Sequence, residues 1–169
     1  SRAGVLISDN QSKTKPINKI CNNHAPKRPD VLPCEIHQVS VKGEKWTILV
    51  GILNGKPYEI LGGSAQFVEI PKKYCDGSIK KRERKTVASK YDLVFGDPGE
   101  EFILKDVVSI FNNANYGSFT RTISLSLRHG VPINFLVEQL QKDPNADLFC
   151  FSRVISRVLK KYIKQGRLL

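Results

Sequence analysis

The sequence contains no methionine, one tryptophan and three histidines among its 169 residues. Its four cysteines are far apart, which excludes the dense spacing of a small disulfide framework: Cys21, Cys34, Cys75 and Cys150. No apolar run approaches the length of about 18 residues that a membrane span needs, and no signal peptide is evident. We therefore expect a cytoplasmic protein with reduced thiols and no membrane partner. Because the chain begins with Ser1 and lacks methionine, we also expect a segment of a longer polypeptide or a processed product.

Acidic residues are scarce relative to basic ones. The chain has 16 Asp and Glu against 27 Lys and Arg, which gives a formal net charge of +11. Such a field favours anionic partners, such as nucleic acid or an acidic protein surface, but does not determine the fold. Hydrophobic residues make up 40% and charged residues 25% of the chain, which excludes wholesale disorder, collagen and coiled coil.

The composition changes near residue 33. Residues 1–33 carry one short apolar patch, Val5-Leu6-Ile7, within polar and basic sequence that contains four prolines. Such a stretch buries too little apolar surface to offset the entropy of ordering it, so we interpret it as a flexible linker or arm. We predict that residues 34–169 form a single α+β domain.

Alternating apolar residues between positions 35 and 63 predict three strands. Lys42-Gly43-Glu44 and Asn54-Gly55 supply the turns, and Asn-Gly is the strongest short hairpin signal because both central residues of a type I′ turn need positive φ. A second, more polar hairpin is predicted from residues 78–84 and 91–95, ending at Gly96-Asp97-Pro98-Gly99.

After Gly99 the apolar period becomes helical. The pattern predicts a short helix near residues 107–111, a longer one from Phe119 that stops at His129-Gly130, and another that Pro132 opens. A last helix, with a wide apolar stripe opposite a basic face, runs from Leu148 to about Gly166. The predicted fold is α+β, with an antiparallel β-meander and a second hairpin packed against C-terminal helices.

Much of the positive charge lies in and around the second hairpin. We interpret this set either as a solvated hairpin that blocks edge-to-edge pairing or as a ribbon that binds phosphate or an acidic partner. Few aromatic residues interleave with the charges, which weakens the case for single-strand stacking. The candidate anion- or partner-binding residues are Lys72, Lys73, Lys80, Lys81, Arg82, Arg84 and Lys85.

Two Cys-x-x-His pairs have the residue types of a tetrahedral zinc site. They are Cys21 with His24 and Cys34 with His37. The first pair falls in the predicted arm, and the second would point to opposite faces of a strand because the side-chain period is two. Zinc binding is left open, and no metal ligand is assigned.

Catalytic motifs are missing from the sequence. It has no nucleophile elbow, Walker loop or dinucleotide fingerprint. His129, at a predicted helix C-terminus, fits a capping role better than that of a general base. We assign no catalytic residue to this chain.

Several stretches resemble the C-terminal region of adenosylcobalamin-dependent, class II ribonucleotide reductases. The resemblance covers about residues 25–165, and its most specific block is Phe-Thr-Arg-Thr-Ile-Ser-Leu-Ser-Leu-Arg-His-Gly-Val-Pro at 119–132. Further matching stretches lie at 25–37, 41–46, 54–60, 69–74, 137–142 and 151–164. The Thr-Ser-Cys-Pro-Asp motif of the related small domain is replaced by Phe149-Cys150-Phe151-Ser152.

This resemblance implies an accessory domain that follows a catalytic barrel. The whole enzyme would reduce ribonucleotides to deoxyribonucleotides with adenosylcobalamin, and its radical and reducing cysteines would lie in the barrel. The segment itself would bind no cofactor and would have that barrel as its partner. The alternatives are a basic module that binds nucleic acid and a domain that recruits an acidic protein.

Overall fold

The structure, a computed structural model, describes residues 19–41, 43–83, 88–111, 113–142 and 151–163. It confirms an α+β fold. The described residues form a six-stranded antiparallel sheet in the order β3-β2-β1-β4-β5-β6. The strands are β1 (Val31–Val41), β2 (Glu44–Leu53), β3 (Lys56–Ser64), β4 (Asp76–Arg82), β5 (Lys90–Phe95) and β6 (Phe102–Leu104).

The meander β1-β2-β3 is confirmed. Asn54 and Gly55, between β2 and β3, have φ of 52° and 76°, so both central residues of this turn adopt the left-handed region that the Asn-Gly pair predicts. Gly43, before β2, also has positive φ. The second hairpin is confirmed as β4 and β5, which pair from Ser78 with Val94 to Arg82 with Lys90.

Two predicted boundaries differ from the structure. The limit between residues 33 and 34 falls inside β1, which begins at Val31, and Leu32 is fully buried. Its side chain lies on the same apolar face of the strand as those of Cys34 and Ile36. The proline-rich composition of the surrounding sequence gives no indication of this burial. We expected helices directly after Gly99, but the strand β6 comes first. With three residues, β6 is too short to show an alternating apolar pattern.

The helices follow the sheet. A 3₁₀ turn (Ala65–Phe67) comes after β3, and then α1 (Val107–Phe111), α2 (Ala114–Arg128), α3 (Ile133–Leu140) and α4 (Phe151–Lys160). The long helix starts five residues before Phe119 because the Asn113 side chain caps it, accepting hydrogen bonds from the N–H groups of Asn115 and Tyr116. His129 is its C-cap and Gly130 follows with φ of 80°, as predicted.

The last helix is shorter than its apolar stripe. It ends at Lys160, and residues 161–163 form a turn, while its expected start at Leu148 and its stop at Gly166 lie outside the described residues. Within the parts of the chain that the structure describes, no helix has both the length and the apolar character that crossing a membrane requires.

Both faces of the sheet carry apolar clusters. On one face α2, α3 and α4 cover Val39 and Val41 of β1 together with alternate residues of β2, which confirms that the stripe of α4 packs on the sheet. On the other face Cys34 and Ile36 pack with Leu49, Ile79 and residues of α1. Trp46–Gly51 of β2 is therefore buried on both faces of the sheet, whereas β1 alternates between buried and exposed residues.

The edge of the sheet at β3 is covered by α2. The buried Ser124 hydroxyl accepts a hydrogen bond from the Ile60 N–H at 2.9 Å and donates one to the Ile60 carbonyl oxygen at 3.2 Å. One side chain thus takes the place that a neighbouring strand would fill, and satisfies both backbone groups of a buried residue.

We predict that Ser124→Ala lowers the free energy of unfolding by about 1–3 kcal/mol, because it leaves the Ile60 N–H and carbonyl buried without partners. Urea denaturation followed by circular dichroism measures the loss. The matched control is Thr122→Ala, since the exposed Thr122 hydroxyl bonds only within α2, to the carbonyl of Ser118. Equal stability of Ser124→Ala and the control would show that the hydroxyl does not hold the edge.

Candidate functional site

The candidate basic residues lie at the two ends of β4. Lys72 and Lys73 are exposed in the loop before the strand, whereas Lys80, Lys81 and Arg82 form its last three positions. Arg84 and Lys85 lie outside the described residues.

Arg82 is held by a carboxylate of its own domain. Its Nε lies 2.7 Å from Oδ2 of Asp92, and its Nη2 donates to Oδ1 at 2.8 Å. Asp92 Oδ1 also accepts the backbone N–H of Asp106 at 2.9 Å, which ties β5 to the turn before α1. The hydrogen bond from Arg82 keeps the pKa of Asp92 below its ordinary value. The guanidinium charge is therefore compensated within the sheet.

The two neighbouring lysines point away from each other. Successive residues of a strand face opposite sides of the sheet, so Lys80 and Lys81 cannot share one surface. Lys80 is exposed, and Lys81 Nζ lies 3.6 Å from the carboxylate of Glu83. The structure does not gather the described members of the set into one patch, and their role in anion or partner binding stays a prediction.

A second arginine, in the predicted arm, makes a buried ion pair. Arg28 Nε donates to Oε1 of Glu59 at 2.7 Å and Nη2 donates to Oε2 at 3.2 Å, with both side chains less than a tenth exposed. The same Nη2 donates to the Ile79 carbonyl, and the guanidinium lies 5.2 Å from the centre of the Tyr91 ring. Arg28 thereby links β3, β4 and β5, which no local sequence signal indicates.

A cavity of about 540 Å³ opens beside this ion pair, within the range of small-molecule sites. It lies between β3, β5, α1 and α2. Its lining combines Glu59, Leu61, Tyr91, Thr120, Ser124 and Arg128. Because Arg28 already neutralises Glu59, the wall of the cavity next to β3 has no uncompensated carboxylate.

The Cys-x-x-His pairs do not converge. Cys34 is buried with Ile36 on one face of the sheet, whereas the ring of His37 contacts Tyr162 on the other. Cys21 and His24 are both exposed. In the described ranges, no three His, Cys, Asp or Glu side chains come close enough to hold a metal ion. The alternation of β1 thus separates Cys34 from His37, as its side-chain period predicts.

Burial controls the chemistry of Cys34. Desolvation, reinforced by the nearby carboxylate of Glu59, raises the pKa of the Cys34 thiol to about 12. A thiol is nucleophilic and redox-active as the thiolate, so Cys34 stays protonated and inert at neutral pH. It acts as a core residue.

Three polar side chains form a chain of hydrogen bonds where the end of α4 meets β1. His37 Nε2 lies 2.6 Å from the Tyr162 hydroxyl, which donates to Oε1 of Glu35 at 2.6 Å. Burial lowers the pKa of His37, with a further contribution from Lys161, while burial and Glu35 raise that of Tyr162. The neutral imidazole and the protonated phenol fix the segment after α4 to the sheet.

We predict that the protein loses stability as the pH falls below about 6.5, because the unfolded chain then takes up a proton that the folded His37 resists. The urea midpoint measured from pH 7.5 to 5.5 tests this. His37→Gln should flatten the dependence, whereas His24→Gln, at an exposed histidine, should leave it unchanged. Identical pH profiles for wild type and His37→Gln would contradict the assignment.

Comparison with known protein families gives a match. A family model described as NrdJ homologue C-terminal domain covers residues 32–164, from the second residue of β1 to just beyond the turn that follows α4. No curated protein and no solved structure was found to match the chain. The family match supports the coarser part of the expected resemblance, a domain associated with NrdJ-related ribonucleotide reductases. The chain belongs to the family of NrdJ homologue C-terminal domains.

Proposed function

We propose that this chain is the C-terminal accessory domain of an adenosylcobalamin-dependent ribonucleotide reductase and acts by docking on the catalytic part of that enzyme. The family match over residues 32–164 is the observation that carries the proposal. The cofactor and the nucleotide would be bound by the catalytic part, and this domain would stabilise the assembly or position its reductant.

The state of the described reactive groups supports a docking role. Cys34 is buried as a thiol, and burial lowers the pKa of His37, whose neutral ring bonds to Tyr162. Arg28 and Arg82 are each paired with a carboxylate. These groups stabilise the domain and are not arranged for turnover.

The edge strand β6 is the surface we assign to the partner. β6 pairs on one side with β5, and no described strand pairs with its other side, where a second chain can bind the backbone. Phe102 and Ile103 are 53% and 57% exposed. Phe102 stacks on Phe95 with ring centres 5.5 Å apart, and the exposed Ile103 side chain can enter an apolar pocket of a partner.

The division of labour is tested by activity. We expect no nucleotide reduction from this chain with adenosylcobalamin and a dithiol. The catalytic part from the same genome, produced as a separate polypeptide, should gain activity or stability when the chain is added. Reduction by the chain alone, or no effect on the catalytic part at saturating concentration, would contradict the accessory role.

The docking edge is tested by Ile103→Lys. Placing a charge in the centre of an apolar contact should weaken the complex with the catalytic part at least about tenfold, as burying an unpaired charge costs more than 1.4 kcal/mol. Titration calorimetry measures the affinity. Leu125→Lys is the matched control, since Leu125 is 51% exposed on α2. Equal affinities of the two variants would place the contact elsewhere while leaving the accessory role intact.

A further inference from the structure

A small cavity lies beside α4. It has a volume of about 170 Å³ and is bounded by Val41 at the end of β1 and Gln141 at the end of α3. Since a water molecule occupies about 30 Å³ in the liquid, the space accommodates one tetrahedral oxyanion or a few waters. It does not belong to the groups described above.

Three cations of α4 line this cavity. Arg153, Arg157 and Lys160 are spaced at i, i+4 and i+7, which places them along one face of the helix. Neither Arg157 nor Lys160 takes part in an ion pair within the parts of the chain that the structure describes. Glu44, which pairs with Val41 across the sheet, lines a different groove. The cavity wall is therefore strongly positive.

Ser156 provides the observation that distinguishes this cluster from a solvated basic helix face. The residue lines the same cavity and is 1% exposed, and its Oγ has no hydrogen-bond partner among the residues that the structure describes. A buried hydroxyl without a partner is costly, and native proteins rarely keep one. Its hydroxyl hydrogen is free to turn toward an anion held by the neighbouring cations.

We propose that this cavity binds a single phosphate group, either as the free ion or as a phosphate monoester. Arg157 and Lys160 supply the charge, and the Ser156 hydroxyl supplies a buried donor. A monoester fits because Arg157 and Lys160 line the cavity and are exposed, so the site reaches solvent and the substituent can extend out of it. A nucleic-acid backbone does not fit a space of this size, since each phosphodiester continues in two directions.

The competing explanation is that Arg157 and Lys160 only complement the negative end of the helix macrodipole. That explanation assigns no role to Ser156 and predicts no preference for phosphate over chloride. The two accounts therefore differ in what they predict for a serine variant, which carries no change in charge.

The test is titration of the chain with inorganic phosphate at constant ionic strength, maintained with chloride, followed by calorimetry and by the thermal midpoint. We expect saturable binding by the wild type with one site. Arg157→Gln and Ser156→Ala should each weaken it at least about tenfold, the factor that corresponds to loss of one hydrogen bond to a charged group. Ser156→Ala should fold, because it removes a buried hydroxyl that has no partner in the absence of ligand.

Arg121→Gln is the matched control, since it removes one exposed helical arginine from α2 and should keep wild-type affinity. Phenyl phosphate, used as a second ligand, distinguishes the sources. Comparable affinity indicates a phosphorylated molecule, and binding of inorganic phosphate alone indicates the free ion. Absence of saturable binding, unchanged affinity in Ser156→Ala and Arg157→Gln, or an equal loss in Arg121→Gln would overturn the proposal.

Discussion

The central strand β1 is the element on which the rest of the structure depends. It pairs with β2 on one side and β4 on the other, so it joins the meander to the second hairpin. The face of β1 that carries the buried apolar side chains also changes along the strand. Cys34 and Ile36 enter the cluster on one face, whereas Val39 and Val41 enter the cluster under the helices. A shift of one residue in its register would expose both sets at once.

Because β1 contributes to a different apolar cluster at each end, polar side chains can occupy one face in the middle of the strand. In the middle of the strand, the face opposite Cys34 and Ile36 contributes no side chain to either apolar cluster. Glu35 and His37 occupy such positions and bond to Tyr162. The segment after α4 is thereby fixed at the boundary between the clusters, although it lies more than 120 residues away in sequence.

The two edge strands of the sheet, β3 and β6, differ in how their outer backbone groups are covered. At β3, Ser124 of α2 satisfies both backbone groups of Ile60, and the edge is closed. At β6 the described structure provides no comparable cover, and apolar side chains are exposed beside the unpaired backbone. Long unprotected edges promote aggregation, and the short length of β6, three residues, limits that hazard.

Sequence reasoning succeeded where the cause of a structure is local. The φ values of Asn54 and Gly55 follow from the turn, the end of α2 follows from Gly130, and the separation of Cys34 from His37 follows from the strand period. It failed to identify the pairing of Arg28 with Glu59, because that contact needs the sheet to bring together residues 31 positions apart. Composition assigned Arg28 to an arm, although its buried charge requires a partner.

Tertiary contacts also determine how much of the net charge acts outside the domain. A formal charge of +11 suggests one basic surface, yet Arg28 and Arg82 are each paired with a carboxylate and add little to the field outside the domain. The cations of α4 lie instead around a cavity with a buried donor, Ser156. An anion would therefore be selected by the groups that can reach it, because charge that is already paired attracts no ligand. The basic face of α4 is a stronger candidate for specific anion binding than the more densely charged hairpin, because its cations surround a buried hydroxyl, whereas Lys80 and Lys81 face opposite sides of the sheet.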